Sequence, residues 1–237
     1  MVDPVEAKAR YYQRDNVVEG YESWRFGSPG GRYVHRREVE TVLGWHDGLA
    51  PRARILDMPV GTGRLAALIA GRGFSNVYGA DLSQPMLAAT HRAHGADVRL
   101  SRHDAFSTGF AAGTFDVVIS LRFFFHFSDV AALVAELHRL LRPGGRLIFD
   151  TLRWSPRTVA PALQGGLGGR LYTHRDHDVE GLLRAQGFSI LATERVFLLP
   201  SFAYRYVPGA LLPLVDGLER RTPGSLRTKS LWLAERS

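Results

Sequence analysis

Three aspartates that close or follow short apolar runs, and one histidine inside a run of phenylalanines, are the residues of this chain best placed for chemistry. Asp57 ends Arg54-Ile55-Leu56-Asp57 and leads into Met58-Pro59-Val60-Gly61-Thr62-Gly63-Arg64-Leu65-Ala66, which reads as a strand, a glycine loop and a helix start. Gly61 and Gly63 let backbone approach a ligand closely, and the unpaired N–H groups near Gly63 suit an anion. The same loop fits the G-x-G-x-x-A form of a dinucleotide fingerprint through Gly61, Gly63 and Ala66, so by itself it leaves the ligand open.

The acids around the loop narrow the choice. A carboxylate at Asp57 would repel a pyrophosphate but suits the ammonium of a methionine moiety. Asp81 closes the next strand, where a carboxylate accepts both hydroxyls of an adenosine ribose, a role that would serve NAD equally well. In Arg102-His103-Asp104-Ala105-Phe106, Asp104 places an acceptor, with an apolar neighbour, where an adenine amino group and ring face would lie. Together these features favour S-adenosylmethionine over a nicotinamide cofactor. His126, in Leu121-Arg122-Phe123-Phe124-Phe125-His126-Phe127-Ser128-Asp129, follows the fourth strand on the rim where such sheets bind ligands. It is placed to act as a general base on an acceptor hydroxyl; capping the helix start at Ser128 and Asp129, or packing among the rings, is the other reading.

Those residues need a scaffold that brings strand ends together. Helical patterns near 4–20 and 31–48 flank the turn Gly27-Ser28-Pro29-Gly30-Gly31, after which strands and helices alternate. Strands read at 54–57, 76–81, 97–101, 115–120, 145–151, 188–197 and 230–235, and helices at 63–72, 84–94, 130–141 and 177–186. This order predicts an α/β, Rossmann-like, seven-stranded and mainly parallel sheet with an antiparallel last strand and helices on both faces. Residues 1–50 form an N-terminal helical lid and 51–237 the core, one domain overall, with 198–229 inserted between the last two strands. That insertion carries an amphipathic helix, Pro208 to Arg221, with Leu211, Leu212, Leu214, Val215 and Leu218 apolar. It packs on its own domain; covering the acceptor pocket or making a homodimer contact are the alternatives.

Asp57-x-Pro59-x-Gly61-x-Gly63, Gly79-Ala80-Asp81-Leu82-Ser83, Phe115-Asp116-Val117-Val118-Ile119-Ser120 and Leu140-Leu141-Arg142-Pro143-Gly144-Gly145-Arg146-Leu147 together resemble the class I S-adenosylmethionine-dependent methyltransferases, in particular the small-molecule branch that includes ubiquinone and menaquinone biosynthesis enzymes. The likeness runs from Arg54 to Thr151. It implies that Asp57, Gly61, Gly63, Asp81, Asp104, Ser120, Leu121 and Arg122 line a cofactor site, with Thr62, Leu82, Met86 and Ala105 beside them. It also implies an N-terminal lid in which Tyr21 joins Tyr11, Tyr12, Trp24, Arg25 and Phe26 over the cofactor, where aromatic faces attract a sulfonium. Pro59 departs from the family's glycine and has no N–H to offer.

Composition restricts the chemistry further. The chain has 237 residues, no cysteine and a net charge of +7, so thiolate metal sites and any cysteine nucleophile are excluded, the covalent route to 5-methylcytosine among them. The arginines are scattered and read as solvated surface, and no run suggests a nucleic-acid arm. The start lacks a signal-peptide pattern and no stretch suits a membrane span, which predicts a cytoplasmic protein. The cluster Tyr172-Thr173-His174-Arg175-Asp176-His177-Asp178 falls where a helix begins and is read as that rather than as a metal site. The function expected is methyl transfer to a hydroxyl of a small molecule, a secondary metabolite or quinone-like compound. An RNA methyltransferase is one alternative, although Ser120-Leu121-Arg122-Phe123 replaces the Asn/Asp-Pro-Pro-aromatic tetrad of base-amine methylases. A non-enzymatic S-adenosylmethionine-binding protein is the other.

Overall fold

The computed structural model describes residues 10–160 and 169–237, so positions 4–9 of the first helical pattern lie outside the described residues. The strands are β1 (Arg54–Asp57), β2 (Asn76–Asp81), β3 (Arg99–Arg102), β4 (Phe115–Ser120), β5 (Leu141–Leu152), β6 (Phe188–Val196) and β7 (Lys229–Arg236). They form one sheet in the order β3-β2-β1-β4-β5-β7-β6. β1 to β5 pair in parallel, and β7 enters antiparallel between β5 and β6, as the alternation followed by a closing hairpin predicts.

Period-2 side-chain direction makes both faces of this sheet apolar. Ile55, Val117, Ile119 and Ile148 face helices α2 (Pro29–Gly44), α3 (Arg64–Ala70) and α4 (Gln84–His94), through Val39, Val42, Leu65, Ile69 and Leu87. Their strand neighbours Leu56, Val118, Leu147 and Phe149 face α5 (Ala131–Leu140) and α6 (Asp176–Ala185), through Leu133, Leu137, Val179 and Leu183. Before α2 stands α1 (Asp15–Phe26), and α7 (Leu212–Arg221) precedes β7. Among the described residues no helix is long and apolar enough to cross a membrane.

Several boundaries differ from expectation for local reasons. α2 begins at Pro29 because Ser28 caps it, its hydroxyl accepting the Gly31 N–H at 3.0 Å, and the proline ring suits the first helical position. The expected five-residue turn shrinks to Gly27-Ser28. Gly30 lies inside α2 because the 198–229 stretch packs there: a Cβ would come within 1.7 Å of the Tyr204 carbonyl oxygen. β3 starts late because Gly95–Asp97 form a 3-10 turn. β5 starts early, at Leu141, with its pairing to β4 shifted between Phe115 and Val117 and Gly144 at φ 71°. In α7 only Leu212 and Val215 of the predicted apolar face pack inward; Leu211, Leu214 and Leu218 are exposed, because Tyr33, Val34 and Tyr204 meet one edge of the helix.

Candidate active site

The strand order reverses between β1 and β4, and at such a switch point the carboxyl ends of the strands open a crevice. A cavity of about 210 Å³ occupies it, lined by the loops after β1, β2, β3 and β4 and by the N-terminal helices. Of the residues singled out in the sequence, Asp57, Pro59, Gly61, Thr62, Asp81, Leu82, Met86, Asp104, Ala105, Leu121, Arg122, Tyr21 and His126 line it. Gly63 and Ser120 do not. Gly63 starts α3 at φ 77°, and a Cβ there would strike Thr90 Cγ2 at 2.3 Å, so this glycine serves the packing of α3 on α4. Ser120 is fully buried at the end of β4.

The two strand-end carboxylates are buried, and each is held differently. Burial pushes the Asp57 carboxyl well above the usual range, and the nearby Asp81 adds to it. Among the described residues no cation lies within ion-pairing distance of Asp57, so it is suited to a ligand's ammonium group. Asp81 is raised by burial to about 6, opposed by backbone N–H donors. Gly61 N–H donates to its Oδ2 at 2.9 Å and Ser83 N–H to its Oδ1 at 2.8 Å, which aims the carboxylate and leaves lone-pair capacity for a ligand hydroxyl. Asp104 is turned by its own loop, accepting the Phe106 N–H at 2.9 Å. These groups fit the three parts of S-adenosylmethionine that carry polar atoms: the ammonium, the ribose diol and the adenine amine.

The N-terminal helices are tied to this rim. Glu22 of α1 accepts from the Thr62 hydroxyl and from Arg64, the latter at 2.6 Å. Gln13 donates to the Leu82 carbonyl at 3.0 Å, and the Ser83 hydroxyl to the Tyr12 carbonyl at 2.6 Å. Tyr12 then meets His126 edge-on, ring centres 6.1 Å apart. His126 is buried among Phe123, Phe125 and Phe127 in a short 3-10 turn, not at the start of α5, where Asp129 accepts the Ala131 N–H instead. His35, which also lines the cavity, is lowered to about 4 by burial and by Arg122 and Arg64.

Arg122 departs most from expectation. It has φ 58°, uncommon for a residue with a side chain, and Asp150 accepts its N–H. Its guanidinium is committed to Glu38 and stacks on Phe26 at 4.9 Å. Lys229 bridges the same Glu38, at 2.7 Å, and Asp150, closing a buried cluster of two acids and two bases. Burial would raise Glu38, yet Arg122 and Lys229 bring it down to about 2. The basic residues are thus not all solvated surface. The Tyr172–Asp178 segment is structural too: Asp176 opens α6 and pairs with Arg195 at 2.7 Å and Arg153 at 3.2 Å.

Residues 56–149 match the family described as a methyltransferase domain. A demethylmenaquinone methyltransferase of Thermus thermophilus is 37% identical over 177 residues, covering 73% of this chain and 70% of its own. The chain belongs to the class I S-adenosylmethionine-dependent methyltransferases. A magnesium-protoporphyrin O-methyltransferase of Synechocystis sp. is 27% identical over 202 residues, covering 73% of this chain and 84% of its own. The crystal structure of magnesium protoporphyrin IX methyltransferase from Synechocystis PCC 6803 shares the fold, with a TM-score of 0.71 at 23% identity, covering 99% of this chain and all of that one.

Sequence reasoning about this methyltransferase missed Glu22, His35, Glu38 and Ser83 at the site. Glu38 had a signal, since it shares the apolar face of α2 with Val34 and Val42, four residues away on either side. Ser83 also had one, as the cap two residues before Pro85. Glu22 and His35 had none.

Proposed function

We propose that this enzyme methylates a hydroxyl of a small, quinone-like or secondary-metabolite acceptor, with His126 taking the hydroxyl proton. The observation that carries the reading is the position of His126, buried in an aromatic wall of the cavity with Phe123, Phe125 and Phe127. His35 is a weak base, because burial and two arginines hold it near 4, far below neutral pH. The names of the two curated relatives support a small-molecule acceptor, and one of them is an O-methyltransferase.

Bound S-adenosylmethionine supplies a methyl group on a sulfonium centre. Asp57 holds the ammonium, Asp81 the ribose hydroxyls through its remaining lone pairs, and Asp104 with Leu82, Met86 and Ala105 the adenine. Residues 1–50 act as a lid on the 51–237 core: Tyr21 and Phe26 exclude water, while Glu22, Gln13 and the Ser83–Tyr12 contact latch the lid to the cofactor loops. Holding acceptor and donor in line is the main contribution, and removal of the hydroxyl proton by His126 adds to it.

The test combines calorimetry with methyl-labelled turnover on a panel of phenols, hydroxyquinones and amines. S-adenosylhomocysteine binds and NAD does not; label appears on oxygen. His126→Ala lowers turnover about 10²- to 10⁴-fold at unchanged cofactor affinity and loses a limb of the pH profile. Label found only on nitrogen or carbon, or a His126→Ala variant with wild-type turnover and pH profile, overturns the reading.

A further inference from the structure

A second, smaller cavity of about 70 Å³ shares Arg25, Phe26 and Arg122 with the first. Its walls come from segments far apart in the chain: the end of α1, the residues after β5, the stretch between β6 and β7, and the start of β7. Five cations line it: Arg25, Arg122, Arg157, Arg205 and Lys229. Arg122 and Lys229 are neutralised by Glu38 and Asp150. Rings brace the guanidiniums of Arg25, Arg157 and Arg205. Arg25 and Arg205 lie over Trp24, at 5.7 and 5.1 Å, and Arg157 lies over Phe202 at 3.9 Å. Among the described residues neither Arg25 nor Arg205 has a carboxylate within ion-pairing distance, and the Arg25 Nε is buried without a hydrogen-bond partner.

The guanidiniums also act on one another. Burial lowers the pKa of Arg157, and the positive charges of Arg25 and Arg205 lower it further, with the Tyr206 phenol opposing them. Like charges gathered in a concave, half-buried place are unfavourable in isolation and favourable around an anion. Planar forks on rigid aromatic supports match the paired oxygens of a carboxylate or phosphate. A recess of this size takes one head group; the repeating phosphates of a nucleic acid call for an extended basic face.

We infer that Arg25, Arg157 and Arg205 hold an oxyanion, a carboxylate or a phosphate, carried by the methyl acceptor, whose reacting end reaches past Phe26 into the first cavity. This rests on reading the first cavity as the methyl-transfer site. Arg157 and Arg205 line only the smaller cavity, so they separate the two claims.

The full chain, saturated with S-adenosylhomocysteine, is titrated calorimetrically with inorganic phosphate, inorganic diphosphate, benzoate and the neutral benzamide. At least one oxyanion binds saturably and benzamide does not, and the tighter class identifies the head group. Arg157→Gln and Arg205→Gln each weaken that binding about tenfold or more, Arg157→Lys recovers part of it, and S-adenosylhomocysteine affinity and melting temperature stay at wild-type values. If S-adenosylhomocysteine binds but no oxyanion does, or if both glutamine variants bind the oxyanion as wild type does, the inference is overturned alone. Failure of S-adenosylhomocysteine to bind overturns the reading of the first cavity and this inference with it.

Discussion

At the ends of β1 and β2 the buried charges are carboxylates with no cation beside them among the described residues, whereas beside β5 and β7 they are acids and bases closed into a cluster by Glu38, Arg122, Asp150 and Lys229. The first arrangement disfavours the ligand-free protein and favours a cationic ligand. The second is complete without any ligand and fastens α2 and β7 to the loop after β4. Burying charge therefore has opposite consequences in two places within one small fold, and removing a charge should have opposite signs as well.

The largest effect is expected in the closed cluster. Lys229→Met leaves Asp150 buried without a base and Glu38 with Arg122 alone, and should lower stability by about 3–5 kcal/mol, read from urea unfolding. A loss below about 1 kcal/mol would break the comparison at its stronger end.

Next comes pH. With Asp81 raised from its ordinary value to about 6, its contribution to stability is fully present below about pH 4 and is lost as pH rises through about 6, for a total of about 3 kcal/mol. Asp57, also raised, adds to the decline. Urea midpoints between pH 4 and 8 should show this fall in the ligand-free protein and a shallower one with S-adenosylhomocysteine bound; a flat profile would contradict it.

Asp81→Ala should weaken S-adenosylmethionine about ten- to a hundredfold, because a charge-assisted bond to a ribose hydroxyl contributes about 1.5–3 kcal/mol. Calorimetry gives the ratio, and an unchanged dissociation constant would place the ribose elsewhere. The last change carries the reversed sign. Asp57→Asn removes an uncompensated buried carboxylate and should raise ligand-free stability at pH 7 while weakening the cofactor. A destabilised Asp57→Asn protein would show that the two regions do not differ as described.

Asp57, Gly61 and Asp81 were legible because their signals are local: an apolar run, an acid at its end and a glycine whose positive φ the turn requires. Gly63 carries the same local signal for a different reason, since Thr90 on α4 is what demands a missing Cβ. The Trp24, Arg25 and Phe26 cluster was visible as aromatic and basic, but not its meeting with Arg157 and Arg205, which lie more than a hundred residues along the chain. Arg122 looked like a cofactor-loop residue, and nothing near it in sequence announces Glu38 or Asp150 as its partners.

The sequence by itself determined the layered α/β architecture, the order of its strands and helices, and the acid-and-glycine pattern of the loops after β1 and β2, because period and turn chemistry act over a few residues. Tertiary structure alone decided which charges are paired, which glycines face a neighbour rather than the cavity, and which arginines meet around Trp24. Those outcomes depend on where distant segments come to rest, and Coulomb and steric terms act on distance in space, not along the chain.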